Sequence, residues 1–372
     1  MLELWYQSFD FNMAFSLSNI FTDLKQQTNN NTPTTVGIDI GSASIKVVEI
    51  EETPRTIMLR TYGELQLGPY DNKDLGEVVV LDSAKRVEAV TDVMREAGVS
   101  GRRGALAMPL SSSFLTVVPI NLGPEEDLAS RIPVEARKYV PLPLTDVALD
   151  WSELPQTDSK TSVREVLLAA IENKALAEHR ALLSAIDMTG ETAEIEAFSL
   201  VRSLWRTKDT TLAIIDIGAR SSKLYIVRSG MLERLHRVSV GGREINRVIA
   251  DKLKLPFEEI ENLKRNYDRS TEQGAVIFQS MTSVIDGPLA EFGRLLGQYE
   301  ARIGGQIGRL VISGGVASSP YCVEYVTGRF GRPVEKADPF AKVAYPAFME
   351  DTLKDIGPSF GVALGAALRA FQ

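Results

Sequence analysis

Two α/β domains of similar design, facing one another, are the fold class this sequence predicts. Three observations carry the prediction. At 372 residues the chain exceeds one ordinary core and suits two or three compact units. Strand-like and helix-like patterns interleave in both halves, as layered α/β domains require. One stretch also returns: VGIDIGSASIKVVEI at 36–50 is matched by LAIIDIGARSSKLYIV at 212–227, with Asp39 and Asp216 about 177 residues apart.

The elements follow in order. Residues 36–50 read as two strands around a tight turn, and a further strand is expected at about 55–64. Asp82 or Ser83 can cap a helix that runs to Glu96, with Val87, Val90 and Met94 inward and Gly98 as its stop. Residues 105–110 and 113–120 read as strands. Pro133 suits the first turn of a helix through EARKYV, which Pro141 and Pro143 end. VALDWSEL and VREVLLAAI read as paired strands. A helix is expected over 175–188, apolar at Leu176, Leu182, Leu183 and Ile186 and stopped at Gly190. The second half then restarts: LAIIDI, KLYIVR and LERLHRV form a meander. Gly241–Gly242 opens a helix through Leu253, another begins at Phe257, and a long one covers about 277–303. LVIS at 310–313 is a buried strand entering SGG, and GVALGAALRAF is a closing helix of small residues.

Composition excludes several functions. The chain is 44% hydrophobic and 24% charged, with net charge −8 and no block of like charges. Nucleic acid and acidic membranes call for clustered Lys and Arg, so neither is an expected partner. No apolar run approaches the roughly 20 residues of a transmembrane helix. A single cysteine, Cys322, excludes an internal disulfide or a cysteine metal cluster and fits a reducing compartment. It reads as a small residue of a helix. Two histidines do not make a metal site; His179 is expected on a helix surface and His236 on a strand. Trp5, Trp151 and Trp205 read as packing residues. The N-terminal dozen lacks the features of a secretory signal, and Met13 is an alternative start. Leu17, Ile20, Phe21 and Leu24 then form a short amphipathic stripe, expected to dock on protein, and QQTNNNTPTT reads as a linker.

The repeated stretch has the chemistry of a phosphate grip. Gly41 lets backbone approach a ligand closely, successive N–H groups of such a turn converge on an anion, and Ser42 and Ser44 add hydroxyl donors. Lys46 can place a point charge on terminal phosphates. Asp39 points a carboxylate the same way, a conflict that a magnesium ion removes, usually through waters. The second copy supplies Asp216, Gly218, Ser221 and Ser222. Gly314 and Gly315, after the strand LVIS, offer bare backbone to a flat ring. Glu261 and Lys264, at i and i+3, can reach ribose and base.

These motifs, in this order, resemble the actin–heat-shock chaperone–sugar kinase superfamily of ATP-binding proteins. DIGSASIK resembles its first phosphate motif, DIGARSS its second and LVISGGVASSP its adenosine motif. EIEAFSLVRSL and FGVALGAALRAF resemble its two connecting helices. Within the superfamily the chain is similar to the PilM family of type IV pilus assembly, on EARKYVPLPLTDVALDW, VLLAAIENKALAEHRALLSAIDMTG and GGREINRVIADKLKLPFEEIENLK. The resemblance implies a two-domain actin-like, ribonuclease H-like ATPase fold with an SHS2-type subdomain inserted in domain 1. The boundaries would be an extension at 1–34, domain 1 at 35–205 with the insert at about 117–192, domain 2 at 206–356, and a closing helix at 357–372 packing back on domain 1.

The resemblance further implies ATP and Mg2+, with Gly41, Ser42 and Lys46 on phosphate, Asp39 and Asp216 facing the metal, and Gly314, Gly315, Glu261 and Lys264 flanking the nucleoside. Glu196, in the first connecting helix, is the candidate for positioning an attacking water. Activity is expected to be at most a slow Mg-dependent ATPase. The implied partner is the cytoplasmic tail of the inner-membrane protein PilN, docked in a groove formed partly by the insert. The implied place is cytoplasmic, held at the inner membrane by the pilus assembly complex, with homo-oligomer formation left open. Ala219, Arg220 and Ser221 depart from the glycines and threonines of many relatives.

Two rivals stand beside this reading. An FtsA-like division protein, a related family, usually ends in a basic amphipathic membrane helix, which is not found after the closing helix here; the Leu17–Leu24 stripe is the available substitute. A small-molecule kinase would need an aspartate base on a substrate hydroxyl, whereas the paired strands of the insert read as a binding module.

Overall fold

The computed structural model describes residues 34–123, 126–155 and 163–371, apart from the side chains of 190–193. The expected N-terminal extension, its apolar stripe, the linker and Trp5 lie outside the described residues. Strands β1 (Thr34–Ile40), β2 (Ser44–Glu52) and β3 (Ile57–Gln66) form an antiparallel meander. Helix α1 (Ser83–Glu96) follows; the Asp82 carboxylate accepts the Lys85 N–H at 2.9 Å, and Gly98 turns the chain at φ +66°. Strand β4 (Arg103–Met108) returns parallel to β1.

The chain then leaves this sheet to build a second unit. Strand β5 (Ser113–Asn121), helix α2 (Leu128–Ala136), strand β6 (Val147–Glu153) and strand β7 (Val163–Glu172) give a three-stranded antiparallel sheet of order β5-β7-β6. Pro133 was expected to open α2 but lies inside it. The Asp127 carboxylate accepts the Ser130 N–H at 3.1 Å and starts the helix earlier. Helix α3 (Asn173–Ala185) brings the chain back and ends as Asp187 turns at φ 55°. The sequence reading has no strand after it, yet β8 (Thr189–Ile195) pairs parallel with β4. This inserted sheet and α2 lie within 113–172, whereas Leu182, Leu183 and Ile186 pack into the first lobe's core and β8 completes its sheet.

Helix α4 (Glu196–Leu204) crosses to the second lobe, where β9 (Thr211–Ile217), β10 (Ser222–Arg228) and β11 (Met231–Val238) repeat the meander. Helices α5 (Gly242–Leu253), α6 (Phe257–Asn266) and α7 (Glu272–Ile303) follow. The last starts five residues before its expected position, capped by the Thr271 hydroxyl, which accepts the Gly274 N–H at 3.0 Å. Strand β12 (Arg309–Ser313) runs parallel to β9, and helix α8 (Cys322–Phe330), led by buried Cys322, precedes β13 (Glu335–Lys336). The two sheets have the same order, β3-β2-β1-β4-β8 and β11-β10-β9-β12-β13. Helix α9 (Glu350–Leu368) closes the chain. It begins before the expected residue 357, and the chain reaches the first lobe earlier still. Phe340 packs with Val48 and Ile50, and the Leu59 N–H donates to the Ala344 carbonyl at 2.8 Å.

Strand β7 shows how the insert is held. Val166, Leu168 and Ala170 face α2, while Leu167, Ala169 and Ile171 pack towards Tyr225, Val227 and Leu232 of the second lobe. At the rim, Glu165 pairs with Arg234 at 2.8 Å and Arg302 at 2.9 Å, and Arg302 reaches the buried Glu233 at 3.1 Å.

Helices α4 and α9 cross with backbone against backbone. A Cβ on Gly365 would lie 1.8 Å from the Ser199 carbonyl oxygen, and one on Gly37 of β1 would lie 1.9 Å from that of Ala363. Beside the crossing, Arg202 donates to Glu194 at 2.6 Å and to the Gly365 carbonyl at 2.9 Å. Gly365→Ala is expected to destabilise the protein by about 1–3 kcal/mol or more, read by denaturant unfolding. Gly297→Ala, exposed on α7 with open space at its Cβ, should instead be stabilising by about 0.5–1 kcal/mol.

Candidate functional site

The tight turns of the two meanders face a common cleft of about 1210 Å³. They close in the same way: Gly41 N–H donates to the Ser44 carbonyl and Gly218 N–H to that of Ser221, both at 3.0 Å. These N–H groups are used within the turns, which leaves the tips at Ser42–Ala43 and Ala219–Arg220 to line the cleft. Helix α5 buttresses the second turn, donating from Gly242 and Arg243 N–H to the carbonyls of Gly218 and Ala219, each at 2.9 Å.

Cross-strand pairing sets the charges. Asp39 lies opposite Lys46, and Asp216 opposite Lys223. Burial pushes the Asp39 carboxyl up to about 6, against the Lys46 ammonium and helped by Glu196. Burial raises Asp216 as well, against Lys223. Lys46 Nζ donates to Ser44 Oγ at 2.6 Å and pairs with Glu64 at 3.2 Å. Lys223 Nζ sits 3.0 Å from Glu196 and 3.3 Å from Asp216. Burial alone would lower the Lys223 ammonium, but it is outweighed, chiefly by Glu196, and Lys223 is held well above its ordinary value. Glu196 opens α4 and also accepts the Leu110 N–H at 3.0 Å.

Of the sequence-derived candidates, Asp39, Gly41, Ser42, Ser44, Lys46, Glu196, Asp216, Gly218, Ser221, Glu261, Lys264, Gly314 and Gly315 line this cleft. Ser222 does not. Its hydroxyl is buried and donates to the Val240 carbonyl at 2.8 Å, because the strand alternation turns it away. Gly314 sits at φ +86°, and a Cβ there would meet the Ile217 carbonyl at 2.4 Å. Glu261 and Lys264 form one hydrogen-bonded unit in which Lys264 is buried and Glu261 half-buried. Lys264 donates to Glu261 at 2.7 Å and to Asn246 at 2.6 Å, and Asn246 donates to Glu261 at 2.6 Å.

Sequence reasoning missed Lys223, Asn246 and Glu64. A signal for Lys223 existed, since both copies set a lysine seven residues after the aspartate. Arg220 is exposed on the lining. Among the described residues no group of three or more His, Cys, Asp or Glu is placed to hold a metal. Magnesium needs only one or two carboxylates with waters, so Asp39 and Asp216 fit it by type, although Asp216 already faces an ammonium.

His179 corrects another expectation. It lies buried on α3 and lines the cleft, and its Nε2 has no hydrogen-bond partner among the described residues. Burial, with a smaller push from Arg180, lowers its pKa to about 4. The unfolded chain takes up this proton first, so the contribution to stability is present above pH 6.5 and is lost as pH falls towards 4. Over pH 6.5 to 5, unfolding free energy should fall by about 1 kcal/mol per unit more in the wild type than in His179→Phe, measured by urea titration. Parallel pH profiles would contradict this.

A family model described as type IV pilus assembly protein PilM matches residues 37–371. Among solved structures, a PilM–PilN type IV pilus biogenesis complex is similar at 23% identity, covering 91% of this chain and 98% of that one, with TM-score 0.74. The ethanolamine utilization protein EutJ from Carboxydothermus hydrogenoformans matches at 16% identity, covering 92% and 91%, with TM-score 0.55. MreB 5 of Spiroplasma citri, solved bound to AMPPNP, matches at 13%, covering 92% and 97%, with TM-score 0.50. These likenesses establish a two-domain actin-like fold.

Proposed function

We propose a nucleotide-gated adaptor role for this chain, which belongs to the type IV pilus assembly protein PilM family. The family match does not favour the FtsA-like alternative. One observation carries the nucleotide reading: two turns of identical hydrogen bonding, one from each lobe, line a single cleft together with Asp39, Lys46, Asp216 and Lys223. In this reading ATP lies with its phosphates between the turns, beside Ser42, Ser44 and Ser221, and its nucleoside between Gly314–Gly315 and the Glu261–Lys264 unit. Magnesium, when bound, would neutralise phosphate charge through Asp39 and Asp216, largely by way of waters. Glu196 would orient a water, but its ties to Leu110 and Lys223 leave it poorly free to do so, and hydrolysis would be slow.

We read residues 35–205 and 206–356 as the two lobes whose closure the nucleotide sets. The partner would be a short cytoplasmic tail of PilN, as the name of the related complex suggests, seated in a groove to which the insert contributes. Among the described residues no helix is long and apolar enough to cross a membrane. Bound to that tail, the protein would work in the cytoplasm and reach the inner membrane through its partners.

The test is the affinity of a PilN-tail peptide with and without Mg-ATP, by fluorescence anisotropy. A change of about fivefold or more is expected, with nucleotide affinity changed reciprocally by the same factor. Equal affinities would remove the gating, and no binding in either state would remove the partner.

A further inference from the structure

The two Asp–Lys rows are alike in sequence spacing and unlike in use. Lys46 reaches sideways to Glu64 on β3 and to Ser44. Lys223 reaches to the cleft floor, 3.0 Å from Glu196 and 3.3 Å from Asp216, with its side chain 13% exposed. Each lysine is the direct cross-strand neighbour of its aspartate, so the difference lies in the third partner, Glu64 on β3 for Lys46 and Glu196 for Lys223. Glu196 comes from the connecting helix, so Lys223 also ties the second lobe's turn to α4.

We propose that Lys223 is a built-in counter-cation of the phosphate cleft, taking over part of the charge neutralisation that a divalent ion would supply. Asp39, Glu196 and Asp216 converge here, and a polyphosphate brought against them meets like charge. An ammonium already seated between two of the carboxylates offsets this without the dehydration that magnesium undergoes reluctantly. A metal ion seeking direct contact with Asp216 must compete with that ammonium. Nucleotide affinity should therefore depend only weakly on magnesium, and the dependence should become strong when Lys223 is removed. This inference rests on the nucleotide reading of the cleft.

The experiment is equilibrium binding of a fluorescent ATP analogue to the full chain, in excess magnesium and in EDTA. Wild type is expected to hold its affinity within about tenfold between the two buffers, whereas Lys223→Met should lose about a hundredfold or more in EDTA and recover most of it in magnesium. Wild-type affinity that collapses a hundredfold in EDTA would overturn the inference, and this arm does not depend on the variant folding. The same buffer ratio in a folded Lys223→Met would overturn it too. Wild type that binds no nucleotide in either buffer would remove the reading of the cleft itself, an outcome distinct from strict metal dependence.

Discussion

The crossing of α4 and α9 is the constraint on which the rest of the molecule depends. Both helices run between or beneath the lobes, and they approach so closely that Gly365 has room for no side chain against Ser199. The Arg202–Glu194 pair is buried at this point, and Arg369 adds a second cation at 3.1 Å. A buried ion pair contributes little net stability, but losing one partner is expensive. It therefore fixes how the helices meet more than how tightly. From that junction follow the seat of β1, against α9 at Gly37, and the start of α4, where Glu196 faces the cleft. The acids at the cleft floor are positioned by a scaffold whose decisive contacts contain no functional group.

Duplication then supplies two turns, and asymmetry makes them different tools. Each turn closes with the same hydrogen bond, and each carries aspartate and lysine on opposite strands. What differs is the third partner. In the first lobe Glu64 on β3 draws the lysine aside, and burial outweighs Lys46 to leave Asp39 raised to about 6. In the second lobe the connecting helix supplies Glu196, so lysine and both acids share one spot. A common motif thus yields one turn with an acid available to a ligand and another with its charge already matched.

The hairpins, their glycine turns and the shared cleft were legible because they are local: strand residues flank a D-I-G, and pairing follows from a short turn. What escaped was set by distant contacts or weak patterns. Strand β8 has the polar sequence TGETAEI, with no alternation to mark it, and exists because β4 offers an edge. The early start of α7 hid behind a polar first turn. His179 looked exposed between Glu178 and Arg180, although its spacing from Leu176 and Leu183 puts it on the apolar stripe of α3. Asn246 had no such clue, since its role appears only when α6 brings Glu261 and Lys264 beside it. Ser222 misled in the opposite direction, as a hydroxyl of the right type one residue out of phase.

The insert is joined to the first lobe by chain but rests on the second by packing. Strand β7 is apolar on both sides, so prising the insert away would uncover Leu167, Ala169 and Ile171 to water and strand Glu165 without its arginines. Any hinge motion between the lobes is therefore cheaper if the insert travels as cargo with the second. The bending must then fall on the two short passages near residues 109–112 and 172–173, where the polypeptide crosses over. Whatever docks on the insert is in that sense borne by the second lobe, while its covalent tether stays with the first.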